Sequence, residues 1–223
     1  MRFLPVLFSL FVTAGFSAVP PELAAALTTF RAEAPKGWSF TQTTSAQGES
    51  TVERCDAAKP EFDRWSLVEK NGRPPTADET REYGEMRSRR SRGGTAPNLS
   101  DQFDLGTLEK WGDSGGFATY RCRLKPSEKG DATARYLRAT LIVHRATNTL
   151  ASVKLASISS FSPTFAVNID EMQTVMTYHP PAAGVPILPQ TVKTRVRGRA
   201  FWFKSLDAEM IVTFSDYVRA RSQ

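Results

Sequence analysis

Apolar and polar side chains alternate with a period of two along most of this chain, most cleanly between Pro189 and Ala220. Lys193, Arg195, Arg197 and Arg199 share one face of a strand, and Val192, Thr194, Val196, Ala200 and Trp202 share the other. The next run places Leu206, Ala208, Met210, Val212 and Phe214 on one face and Asp207, Glu209, Thr213 and Ser215 on the opposite one. An antiparallel pair is expected, turning at Lys204 to Leu206.

The same reading runs back through the chain. Pro21, Glu22 and the stripe Leu23, Leu27 and Phe30 predict an amphipathic helix that ends near Ala34 and Pro35 and packs across a sheet. Strand periods follow at Trp38 to Gln42, Thr51 to Cys55 and Trp65 to Glu69, the last stopping at Asn71-Gly72. Thr76 to Glu79 has the form of a capping box. It predicts a helix to about Arg92 with acids in its first turns and arginines in its last, leading into a loop through Gly93, Gly94, Pro97 and Asn98. With only Tyr83 and Met86 as larger apolar residues, this helix belongs on the surface rather than in a core. Hairpins are expected at Thr107 to Leu124 and at Leu137 to Ile158, the latter unit ending at Pro163. Between Phe165 and Tyr178 the apolar positions switch from odd to even near Asp170 and Glu171, the signature of a bulge. Nine or ten strands in mostly nearest-neighbour antiparallel order define a mainly β (α+β) fold: a curved antiparallel sheet or incomplete β-barrel with an N-terminal helix and one inserted surface helix.

Composition narrows the class. At 223 residues the chain suits one domain, and its net charge of +6 admits an anionic partner without requiring one. Arg2, the apolar run Phe3 to Phe16 and the small residues before Ala18 read as a secretory signal peptide over residues 1–18, with a single domain over 19–223 and a helical insertion at about 73–95. Export to the periplasm as a soluble protein, with no transmembrane span after cleavage, is the expectation. In an oxidising compartment Cys55 and Cys122 invite a disulfide; the competing reading is two small buried residues on neighbouring strands. Four zinc ligands are hard to assemble from these cysteines, His144 and His179, so no metal is expected.

The motif Gly112-Asp113-Ser114-Gly115-Gly116 matches the surroundings of a serine nucleophile. Its context does not fit: both histidines follow Ser114, and a strand rather than a helix follows the glycines. A hairpin turn accounts for the same residues. No H-E-x-x-H, P-loop or dinucleotide fingerprint is present, so neither cofactor nor catalysis is expected. The basic ladder Lys193, Arg195, Arg197 and Arg199 is either balanced by carboxylates such as Asp207 and Glu209 across the turn or free to meet an anionic partner. Aromatics do not interleave with it, which argues against nucleic acid.

The N-terminal amphipathic helix, the antiparallel meander and the closing hairpin ending in Thr213-Phe214-Ser215-Asp216-Tyr217 together resemble the LolA/LolB-like superfamily of periplasmic lipoprotein carriers. The resemblance rests on element order across most of residues 19–223. It implies a sheet that shelters acyl chains and a non-enzymatic role in binding a lipid, acyl chain or lipoprotein, with the first helix as a lid. The candidate apolar face comprises Trp38, Phe40, Trp65, Leu67, Leu141, Val143, Val153, Leu155, Met210, Val212 and Phe214. The alternative expectation is an envelope protein-interaction or sensor module that presents the basic ladder and the Arg87 to Arg92 helix end to an anionic partner.

Overall fold

The structure, a computed structural model, describes residues 19–30, 36–91, 99–126, 132–180, 182–201 and 203–220. The expected signal peptide, the loop from Arg92 to Asn98 and Trp202 lie outside them.

Two helices are described, α1 (Pro21–Thr29) and α2 (Ala77–Ser91). The strands are β1 (Trp38–Ala46), β2 (Glu49–Cys55), β3 (Trp65–Lys70), β4 (Phe103–Ser114), β5 (Phe117–Leu124), β6 (Leu137–His144), β7 (Thr149–Ser157), β8 (Phe161–Thr164), β9 (Val167–Tyr178), β10 (Pro189–Ala200) and β11 (Lys204–Arg219). Among the described residues they form one open antiparallel sheet in the order β3-β2-β1-β11-β10-β9-β7-β6-β5-β4, with β8 paired to β9. The sheet does not close into a barrel. The β1–β2 and β4–β5 hairpins turn at residues with positive φ, Gln47-Gly48 and Gly115-Gly116, and Asn71-Gly72 closes the isolated Lys70–Arg73 bridge after β3.

Both helices lie on the same face. Cross-strand neighbours share a face, and the register links Tyr120, Leu141, Val153, Met176, Val192, Val212, Thr44 and Thr51 in one unbroken row. Helix α1 covers the β6–β7 half of that row. It inserts Leu23, Ala26 and Phe30, all fully buried, against Tyr120, Leu141, Val143 and Val153. At about 1.5–3 kcal/mol for each large apolar side chain buried, Leu23 and Phe30 alone fasten the helix firmly. The Tyr120 hydroxyl also donates to Glu22 Oε1 at 2.5 Å, tying the first turn to β5.

Several expectations are corrected. Helix α1 stops at Thr29, five residues early. Thr28 and Thr29 turn their hydroxyls back onto helix carbonyls, and Phe30 leaves in an extended conformation to pack edge-on against Tyr178. The last hairpin turns between Ala200 and Lys204, not at Lys204 to Leu206, because those two residues already pair. Pro163 does not end its unit but sits within β8, whose only described partner is β9, so no ladder bond on a second side is lost. Nearest-neighbour order fails at two places: β7 pairs with β9 rather than with β8, and β1 pairs with the final strand β11, which leaves β3 and β4 as the two edges.

The cysteines are free and buried. Cys55 on β2 and Cys122 on β5 are separated by seven strand steps (β2 to β1, β11, β10, β9, β7, β6 and β5). That is roughly 34 Å along the sheet, against the ~7 Å limit between bridged Cα atoms. They are small buried residues, yet not on neighbouring strands.

The bulge stands where the phase change places it. Glu171 faces Arg197 and Ile169 faces Gly198, leaving Asp170 unpaired. Gly198 is required there, because a Cβ would lie 2.1 Å from the Asn168 carbonyl oxygen.

Candidate functional site

The other half of the helix-bearing face carries α2. Its start is the expected capping box: Thr76 Oγ1 accepts from the Glu79 amide at 3.3 Å, and Glu79 Oε2 accepts from the Thr76 amide at 2.8 Å. Arg73 donates twice to Glu79 at 2.9 Å, and Lys70 Nζ lies 3.3 Å away, so the carboxylate fixes the helix to the end of β3. The Arg73 guanidinium first, and the Thr76 amide after it, lower the Glu79 pKa to about 2.

One helical turn further on, Tyr83 and Arg87 face the sheet at i, i+4 spacing. Arg87 donates to Glu53 Oε1 at 2.5 Å and to the Tyr83 hydroxyl at 3.0 Å, and its guanidinium lies 4.0 Å from the centre of the Trp65 ring. Glu53 is nearly buried and also accepts from Gln42 Nε2 at 2.8 Å. Burial alone would lower the Arg87 pKa, but the Glu53 carboxylate and the Tyr83 hydroxyl together outweigh it and hold it above the ordinary value. Burial, reinforced by Glu53, pushes the Tyr83 phenol up.

Trp65 joins this latch to an aromatic cluster. Its ring meets Phe40 edge-on at 5.4 Å, and Phe40 also contacts Phe214 at 5.9 Å and Tyr217 at 5.6 Å. Between α2 and the sheet a pocket of about 580 Å³ remains. Leu67, Met210 and Val212 contribute its apolar floor, Tyr83 and Met86 its apolar helix side, and Gln42, Thr44, Thr51, Glu53, Lys70, Glu79 and Glu82 its polar lining.

The candidate apolar face therefore divides. Leu141, Val143 and Val153 are fully buried beneath α1, and Leu155 packs against the same cluster. Phe40 is buried in the aromatic group, with Trp65 and Phe214 as its half-buried neighbours, while Trp38 is half-buried opposite Arg219 at the strand end. Leu67, Met210 and Val212 face the pocket. Periodicity placed these residues on one face without distinguishing the half that α1 fills. Of the latch residues, Glu53 and Tyr83 were absent from the expected sites, and Arg87, expected at a helix end that meets an anionic partner, instead pairs with Glu53 of the same chain. A carboxylate in phase with Cys55 on an otherwise inward strand face, and an aromatic four residues before an arginine, were the available signals.

The basic ladder also divides. Lys193, Arg195, Arg197 and Arg199 are all exposed on the expected face. Arg195 faces Glu209, and Arg197 lies 3.7 Å from Glu171 and 3.9 Å from Asp207. Ser114 pairs with Phe117 at the hairpin end beside Gly115, and Asp113 is engaged by Lys110 and Arg145. His144 Nδ1 bonds Thr147 Oγ1 at 2.8 Å, and His179 rests on Tyr217 at 5.8 Å. Among the described residues no three His, Cys, Asp or Glu side chains gather as a metal set, and no helix is long and apolar enough to cross a membrane.

No family model matches the chain, and no curated protein matches it. Among solved structures, GphF dehydratase 1 aligns at 13% identity over 90% of this chain and 82% of its own, with a TM-score of 0.19. A variant of the GphF dehydratase made for improved crystallization aligns at 13% identity over 89% and 81%, also at 0.19. Superpositions this loose transfer neither fold nor activity.

Proposed function

We propose that this is a non-enzymatic periplasmic protein that binds an apolar or lipid-modified ligand between α2 and the sheet, in the manner of the LolA/LolB-like carriers it resembles. The observation that carries this reading is the pocket of about 580 Å³ with its apolar floor of Leu67, Met210 and Val212. That volume is in the range of small-molecule sites, and an apolar floor with a polar lining suits a ligand with an acyl portion and a polar end. Half of the face is already occupied by α1, so α2 rather than α1 is the element that would move to admit a ligand. Helix α1 is fastened by fully buried apolar side chains, whereas α2 is held chiefly by ion pairs and stacking.

Native mass spectrometry of the purified chain, before and after organic extraction, combined with titration of a fluorescent fatty acid, tests the reading. Val212→Trp fills the pocket from its floor while the core beneath α1 is untouched. Uptake should fall at least roughly tenfold with thermal stability little changed, since one aromatic side chain takes the volume of several ligand methylenes. Equal uptake by the variant, or no uptake by the parent chain, refutes it.

A further inference from the structure

Three of the four most exposed large apolar side chains among the described residues stand at one end of the sheet: Phe165 at 92% exposure, Phe203 at 87% and Phe201 at 60%. Phe165 lies in the β8–β9 turn, and Phe201 and Phe203 in the β10–β11 turn. The turns are adjacent, since Ala200 pairs with Val167 and the Phe201 amide donates to the Ala166 carbonyl at 2.7 Å. Phe201 has a φ of 50°, a region that disfavours bulky side chains, so turn geometry does not account for an aromatic there.

The charged residues that border the two turns are cations. Arg199 faces Ser205 and Asn168, and Lys204 faces Ala200; neither makes an ion pair among the described residues. The nearest carboxylates are otherwise engaged: Glu171 and Asp207 flank Arg197, and Asp170 accepts from Asn168 Nδ2 at 2.6 Å. The ladder is thus balanced at Arg197 and open at its outer end, where Arg199 and Phe165 line one shallow concavity.

We propose that the paired β8–β9 and β10–β11 tips dock onto an anionic lipid bilayer, with Phe165, Phe201 and Phe203 entering the headgroup–acyl boundary and Arg199 and Lys204 meeting lipid phosphates. Exposed aromatics suit that boundary, and cations beside them are drawn to the negative surface of anionic lipids. The Phe201 amide is already satisfied within the protein, so approach to the lipid does not cost that hydrogen bond. The inference stands apart from the ligand pocket, because none of these residues lines it.

The test is co-sedimentation of the full chain with vesicles of phosphatidylcholine alone and with about one third phosphatidylglycerol. Binding should favour the anionic vesicles and weaken with salt. Phe165→Ser with Phe203→Ser should reduce it at least roughly tenfold, and Arg199→Gln with Lys204→Gln by about fivefold per cation, the circular dichroism of both being unchanged. A direct reading uses Phe203→Cys, since both native thiols are buried and leave the new one for selective labelling. An environment-sensitive dye at 203 should shift to the blue on anionic vesicles, whereas a dye placed through Phe62→Cys, beyond the opposite end of β11, should not. Equal binding by the phenylalanine variant, an unshifted dye at 203, or dimerisation without vesicles that Phe203→Ser abolishes would each overturn the proposal.

Discussion

Replacing Arg87 by methionine should release α2 without unfolding the sheet. The substitution keeps much of the aliphatic stem but removes the bond to Glu53, worth about 1.5–3 kcal/mol for a charged pair, and the stacking on Trp65, worth about 1–2 kcal/mol. It also leaves Glu53, whose side chain is 8% exposed, with the neutral Gln42 and Tyr83 as its remaining partners at the latch. Breaking a largely buried pair from one side costs about 3–5 kcal/mol, in agreement with the summed losses. The consequence is local, because of the described α2 side chains only Tyr83 is buried and the helix packs chiefly on the edge strand β3. Global stability can fall by no more than the free energy that docks α2, since the undocked state then becomes the reference. Hydrogen exchange read by mass spectrometry should show amides of α2 exchanging on the order of a hundredfold faster or more, with β5, β6 and β7 unchanged. Adding Glu53→Gln should recover part of the loss, giving a coupling energy above about 1 kcal/mol. Unchanged exchange in α2, or an equal loss of protection in β5–β7, would refute the argument.

Two other predictions concern the helix start and the thiols. The folded-state pKa of Glu79 is depressed to about 2, so its contribution is present above the unfolded value near 4.3 and is lost as pH falls through about 2. Exchange protection at the first turn of α2 should decline across that acid window, and Glu79→Gln should abolish that dependence. Cys55 and Cys122 should both titrate as free thiols in urea and resist a thiol reagent in the native state, where burial raises both pKa values, that of Cys122 to about 11; a non-reducing mass two protons below the reduced one would contradict the topology.

The parts of the fold that were legible in the sequence are those set by local physics. Alternation assigned faces in β6, β10 and β11, the phase change located the Asp170 bulge, Thr76 and Glu79 marked the start of α2, and Gly115-Gly116 marked a turn inside a nucleophile-like motif. Pairing between distant segments was not legible. A period of two states which residues share a face but not which strand lies alongside, so the union of β1 with β11 left no local trace, and neither did the separation of Cys55 from Cys122. The end of α1 was misplaced because the demand for Phe30 in the core is a tertiary effect that overrides the run of helix-compatible residues after it.

The division of the candidate site has the same origin, and it explains why two helices on one face have different roles. Helix α1 carries an apolar stripe, and burying that stripe turns Leu141, Val143 and Val153 into dry core. Helix α2 has almost no stripe to bury, so it can lie over an apolar floor only if polar groups hold it there. Glu79 with Arg73 and Lys70 fixes one point, and Glu53 with Arg87 and Trp65 fixes the other. A cover held at two such points leaves space beneath it, because among the described residues nothing on its underside fills the volume above Met210 and Val212. The low hydropathy that marked α2 as a surface helix is therefore also the physical reason that the groove under it stays open.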